Sequence, residues 1–254
     1  MTPAPADPSS VGVSARAALA ERLAELEART PEARIDLGLD RVRAVYDELA
    51  PGLGGRTIVS VAGTNGKGST VAFIEAGLRA AGRSTLAYTS PHVVDFRERF
   101  RLDGAPAPAE ELVSALDAVE RARGSVPLTY FEQITLAGFV LAERADVDAL
   151  VLEVGLGGRL DAVNVVDADL AVITSIGLDH KDWLGSTRAA IGREKAGIAR
   201  CQRPVIVVEP RPHAGMLDGL EALGAEVVAW GSGLAARWHR GRLAVRLGSP
   251  GSEA

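Results

Sequence analysis

Thr57-Ile58-Val59-Ser60-Val61-Ala62 runs straight into Gly63-Thr64-Asn65-Gly66-Lys67-Gly68-Ser69-Thr70, and the chain continues from Val71 to Ala81 with Phe73, Ile74, Ala76, Leu78 and Ala81 at helical density. The first segment is β-branched or small at nearly every position and reads as a strand buried on both faces. Gly82 is placed to end the helix. Strand, glycine loop and helix together gather backbone N–H groups and a helix N-terminus around one point, with the Lys67 ammonium beside them, a geometry that suits a nucleotide's phosphates. Asn65, Gly66, Lys67, Gly68, Ser69 and Thr70 are the candidate nucleotide-binding residues. The match to the general phosphate-loop pattern is imperfect, because Gly68 stands where a hydroxyl residue follows the lysine directly.

Upstream, two amphipathic helices are expected, from Ser14 to about Arg29 on Leu19, Leu23 and Leu26, and from Leu37 to Leu49. Pro51-Gly52-Leu53-Gly54-Gly55 separates them from the first strand. Downstream, Thr85 to Thr89 reads as a strand, Asp95 to Phe100 as a charged loop, Glu110 to Arg121 as an amphipathic helix and Phe131 to Arg144 as an apolar helix. Ala149 to Val154, Leu170 to Ser175 and Pro204 to Val208 read as buried parallel strands, and Glu226 to Trp230 as a weaker one. Strands alternating with helices predict an α/β fold, a parallel sheet with helices on both faces and ligands at the carboxyl ends of its strands. The expected organisation is a disordered tail over residues 1–13, one nucleotide-binding domain over 14–230, and a terminal hairpin or loose tail over 231–254.

The 254 residues are 47% apolar with a formal net charge of −5, which gives no electrostatic ground for a nucleic-acid partner. Cys201 is the single cysteine and cannot form an internal disulfide, so a reducing cytoplasm fits. The opening residues lack a basic region and an apolar core, and no run approaches the roughly 20 apolar residues that span a bilayer. A soluble protein without membrane partners is expected.

Glu153 closes a hydrophobic strand, where a carboxylate can face the phosphate loop and take a hard cation such as Mg²⁺. A histidine placed like His180 is more often a turn or core residue than a ligand, Phe131 reads equally as core packing at a helix start or as an aromatic face for a ligand, and a lysine like Lys195 is more often a surface residue, here paired with Glu194 or Asp182. Arg97 and Arg99 alternate with glutamate on a loop that could close over substrate, although such arginines are more often simply solvated. Trp183 and Trp230 read as packing residues.

The glycine loop, Thr89-Ser90-Pro91-His92 with Phe96-Arg97-Glu98-Arg99, Thr129-Tyr130-Phe131-Glu132, Leu152 to Asn164, Ile173 to His180 and Arg193 to Ile198 together resemble folylpolyglutamate synthase and dihydrofolate synthase of the Mur ligase superfamily. Six colinear motifs do not arise by chance, and they cover roughly Leu37 to Pro210. The resemblance implies ATP-dependent ligation of L-glutamate to dihydropteroate or folate through an acyl phosphate. It implies Mg²⁺ on Ser90, Glu153 and His180, catalytic roles for Lys67 and for a carbamylated Lys195, and pteroate contacts from Thr129, Tyr130, Phe131, Glu132, Leu160, Asp161 and Ala162. An ordinary lysine of pKa about 10.4 is neutral in roughly one molecule in a few thousand at pH 7, so carbamylation requires burial or neighbouring cations.

One departure limits the expectation. Relatives usually carry a second, carboxyl-terminal ligase domain, and neither that domain nor its adenine-side positions is found before Ala254. A monomer is expected, with or without a separate carboxyl-terminal partner. An ATP-binding module without ligase chemistry and a Mur-type ligase of peptidoglycan precursors stand as alternatives, and the motifs do not separate first glutamate addition from chain extension.

Overall fold

The computed structural model describes residues 8–209, 211–229, 234–239 and 242–247, with side chains from residue 14 to 229 except residue 210. Its frame is an eight-stranded sheet in the order β4-β3-β2-β5-β1-β6-β7-β8. These strands are β1 (Thr57–Ala62), β2 (Thr85–Tyr88), β3 (Phe100–Leu102), β4 (Ala105–Pro106), β5 (Ala149–Glu153), β6 (Leu170–Ile173), β7 (Pro204–Val207) and β8 (Glu226–Ala229). From β2 to β8 every pairing is parallel, while β3 and β4 add an antiparallel edge. The sequence expectation of a charged loop from Asp95 to Phe100 missed this edge. The strands are three and two residues long, too short for an alternating pattern to show.

The alternation of side chains along the central strands assigns the two faces. Val59, Val61, Ala87, Val151 and Val172 pack under Val71, Ile74 and Leu78 of α3 (Lys67–Ala80). The opposite parity, including Ile58, Leu86, Leu150 and Leu152, packs against α5 (Tyr130–Arg144). Outside α5 lie α1 (Pro8–Arg29), α2 (Asp40–Leu49) and α4 (Ala109–Arg123). Ala171, Ile173, Val205 and Val207 meet α7 (Arg188–Ala196) and α8 (Ala214–Ala222), and α6 (Lys181–Leu184) is a single turn between β6 and α7. Helices thus cover both faces, as expected.

Several boundaries differ from the sequence reading. Helix α1 is described from Pro8, ahead of the expected Ser14, which removes residues 8–13 from the expected disordered tail. Helix α2 begins at Asp40, and 30–39 forms an irregular segment beside the site. Strands β9 (Leu234–His239) and β10 (Arg242–Leu247) pair antiparallel. Trp183 is 48% exposed, contrary to its reading as a packing residue, because the one-turn α6 has no second layer over it. Trp230 lies outside the described residues, as does any structure over 1–7.

Candidate active site

The phosphate loop leaves the carboxyl end of β1 and enters α3 at Lys67 through Gly66, whose left-handed φ of 84° favours glycine. The exit of β6 holds the loop from beside. Thr64 N donates to the Ser175 carbonyl at 2.7 Å, Asn65 N donates to Ser175 Oγ at 3.0 Å, Thr174 Oγ1 donates to the Asn65 carbonyl at 2.8 Å, and Gly177 N donates to Thr64 Oγ1 at 2.9 Å. Gly63 is fixed by the same packing, since a Cβ there would collide with Thr174 Oγ1. With Asn65 anchored in this way and the Thr70 hydroxyl donating to the Gly66 carbonyl at 2.8 Å, the first amides of α3 are left facing outward as an anion cradle. Sequence reasoning found the loop and the Ile173–His180 motif but not that one braces the other.

Glu153 is the last residue of β5 and has the parity of Val151, so its side chain lies on the α3 face. A Cβ on Gly68 would sit 3.3 Å from Glu153 Oε2. The glycine that spoils the general loop pattern therefore makes room for a carboxylate at the amino end of α3. Glu153 is buried, with its pKa raised by desolvation against the opposing pull of the Ser90 amide, Lys67 and Arg101. Its hydrogen bond from the described residues comes from Ser90 N at 3.2 Å. A buried carboxylate so sparsely paired beside a phosphate cradle fits a hard cation.

Lys195 is not a surface lysine. It is 5% exposed, and its Nζ donates to the Gly63 carbonyl at 3.0 Å, while Glu194 pairs with Arg159 instead. Burial, helped by the nearby Lys67 charge, lowers its pKa to about 8. Close packing of the Gly158-Arg159 strip on α7 delivers it, because a Cβ on Gly158 would meet the Glu194 carbonyl at 2.7 Å and Lys195 Cα at 3.1 Å.

A cavity of about 230 Å³ opens next to Ser90. Thr129, Phe131, Glu132, Leu160, Asp161 and Ala162 line it, together with Ser90 and His180 from the proposed metal set and residues 34–37 from the segment before α2. Tyr130 is buried among core residues instead. Phe131 presses on the backbone of Gly155, where a Cβ would stand 2.5 Å from its ring, and lies 6.1 Å from the Tyr88 ring, so one face packs while the residue still borders the cavity. Asp161 is buried and accepts from Leu156 N at 2.8 Å and Val163 N at 3.0 Å; desolvation raises its pKa to about 6. Glu132 accepts from Thr129 N at 2.7 Å and pairs with Arg41 at 2.7 Å, so its carboxylate is committed to structure. His180 sits at φ 48°, half-exposed and 3.6 Å from Asp179. Among the described residues no cluster of three or more His, Cys, Asp and Glu side chains gathers to hold a metal; Ser90 adjoins Glu153 through its amide, and His180 shares only the cavity wall with it.

Arg99, read from the sequence as a solvated arginine on a loop that could close over substrate, lines the cavity, and Arg41, which the sequence reading did not single out, stands behind its wall. Arg99 is 1% exposed rather than solvated, donating from Nε to His92 Nδ1 at 2.9 Å and from Nη2 to Glu32 at 2.6 Å. Arg41 holds Glu132 from behind. The Arg99–Glu32 and Arg41–Glu132 links carry no local signal, because they join positions 67 and 91 apart. Arg97, by contrast, pairs locally with Asp95.

A strand-loop-helix phosphate cradle at the carboxyl edge of a parallel sheet, faced by a buried carboxylate, defines a P-loop nucleotide-binding domain. More narrowly, residues 61–214, over half of the chain, match the model of the Mur ligase middle domain, and the chain belongs to that family. It is 49% identical over 191 residues to a dihydrofolate synthase/folylpolyglutamate synthase of Escherichia coli, covering 75% of this chain and 45% of that protein. Among solved structures it superposes on E. coli FolC in complex with DHPP and ADP with a TM-score of 0.86 at 44% identity, over 90% of this chain and 55% of that one. The Yersinia pestis bifunctional enzyme complexed with AMPPNP and Mn gives a TM-score of 0.84 at 42% identity, over 91% and 56%. The chain spans about half the length of the curated relatives it matches.

Proposed function

We propose that this chain forms the ATP-binding part of a cytoplasmic ligase that joins L-glutamate to dihydropteroate or a folate. The observation that carries the reading is Ser90, which holds the Glu153 carboxylate with its amide and walls the adjoining cavity, so phosphate chemistry and acceptor pocket meet at one residue. The names of the similar proteins agree with it.

In this reading the acceptor's carboxylate oxygen attacks the γ-phosphorus of ATP, the bond to the β-phosphate oxygen breaks, and ADP leaves. The glutamate amine then attacks the acyl carbon, phosphate departs with the C–O electron pair, and the amine loses its proton to solvent. Lys67 and the first amides of α3 stabilise charge on the transferring phosphoryl group. Ser90, Glu153 and His180 would hold Mg²⁺, which supplies charge neutralisation on the phosphates. Lys195 carries a carbamate, which turns a buried cation behind the loop into an anion. Phe131 and Leu160 offer apolar surface to a pterin, and the Asp161 carboxyl group meets its polar edge.

The test is phosphate release from ATP by the purified chain, with dihydropteroate, tetrahydrofolate and glutamate varied independently, alongside calorimetric ATP binding. Lys67→Ala is expected to weaken nucleotide binding at least tenfold and to remove acceptor-dependent release. Full binding and release by that variant would sink the assignment, and binding without release in any combination would leave a nucleotide-binding module.

A further inference from the structure

A second cavity, of about 210 Å³, lies behind the first, between the end of α1 and the end of α4. Its charged walls are Arg29, Arg34 and Arg123, its hydroxyl walls Thr30, Ser125 and Thr129, and among the described residues no carboxylate lines it. Two of the arginines are fixed in place from outside. Glu120 accepts from Arg29 Nη1 at 2.9 Å and Nη2 at 2.7 Å and from Arg123 Nε at 2.9 Å. Arg29 also donates to Gln133 at 2.8 Å, and Arg123 to the Val126 carbonyl at 3.3 Å. The Arg123 and Arg29 guanidiniums together hold the Glu120 carboxyl down to about 2 against its partial burial, so it is an anion across the working pH range. Arg34 is exposed and its guanidinium has no partner among the described residues.

Three guanidiniums against one carboxylate leave two positive charges around a small concave space, with two of the donors already held rigid. Such preorganised forks match tetrahedral and planar oxyanions and lose little side-chain entropy on binding. We propose that this cavity is an anion-binding site, separate from the phosphate loop, for a compact oxyanion carrying two negative charges: a phosphoryl group or a small dicarboxylate. Arg34 and Thr129 line both cavities. An anion that draws in Arg34 therefore also settles the 30–37 segment bordering the first cavity, and the site is placed to couple anion concentration to acceptor binding.

Inorganic phosphate and glutarate are titrated separately by calorimetry into the full chain at low ionic strength, with the phosphate loop saturated by ADP. Saturable one-site binding is expected, weakened at least tenfold by Arg34→Gln and by Ser125→Asp and unchanged in Lys67→Ala; the tighter of the two ligands identifies the oxyanion. Residues 34 and 125 are both exposed, so these variants are expected to keep their fold, which thermal melts verify. Absence of saturable binding by either anion overturns the proposal. So does binding that survives both cavity variants or disappears with Lys67→Ala, since the anion would then sit elsewhere.

Discussion

At the scale of single residues, the site depends on where a side chain's charge is placed relative to backbone it cannot avoid. Among the described residues the Lys195 ammonium has one hydrogen-bond acceptor, the Gly63 carbonyl, and the side chain is buried. Its pKa of about 8 lies below the usual lysine value of about 10.4. Because the folded state binds fewer protons than the unfolded chain between those values, stability rises with pH across that window, and the penalty for burying the ammonium is fully present below it. The same shift enlarges the neutral amine fraction that can add CO₂, forming an N–C bond and releasing a proton. At fixed dissolved ¹³CO₂, carbamate signal on Lys195 is expected to grow as pH rises through about 8 and to be absent in Lys195→Ala, as read by ¹³C NMR. A signal that persists in that variant, or no signal at any pH, would refute the modification. Sequence alone left this lysine between surface and site because burial comes from the Gly158 contact and the β1 exit, both remote in the chain. Glu153, at a strand end, was legible; that Gly68 exists to admit it was not, since the contact spans 85 positions.

Among elements, α5 carries much of the cavity wall through its first turn. Thr129 Oγ1 accepts from Glu132 N at 3.3 Å and Glu132 Oε2 accepts from Thr129 N, which makes a capping box. Thr129→Ala is expected to cost about 1 kcal/mol. Glu132→Ala is expected to cost about 2 kcal/mol or more, because Arg41 also loses the carboxylate it holds in partly buried surroundings. Urea melts with an unchanged slope measure both, and equal losses in the two variants would show that the Arg41 link contributes nothing. The long elements were readable because α3, α5 and the central strands carry enough apolar positions for a period to show. The short edge strands were not, since their form is imposed by neighbours: β3 exists because Phe100 and Leu102 find β2 to pair with.

For the whole molecule, the sheet order puts Glu153 at the end of β5, the glycine loop after β1, and its braces Thr174 and Ser175 after β6, on adjacent central strands. Those strands are buried on both faces, while β8 at the far edge is only partly covered. Local opening should therefore cost less at β8 than at β5 and β1. Because the loop's braces are the β6 exit and not the sheet edge, a nucleotide that orders Gly66 to Ser69 must also restrain Thr174 to Gly177 through the hydrogen bonds that Thr64 and Asn65, just before them, make to that segment. Hydrogen exchange with and without ADP is expected to slow at both segments together, by tenfold or more at saturation, and to leave Glu226 to Ala229 unchanged. Protection confined to the loop would mean that the brace does not transmit order, and protection spread evenly to β8 would mean that the nucleotide acts by stabilising the whole sheet.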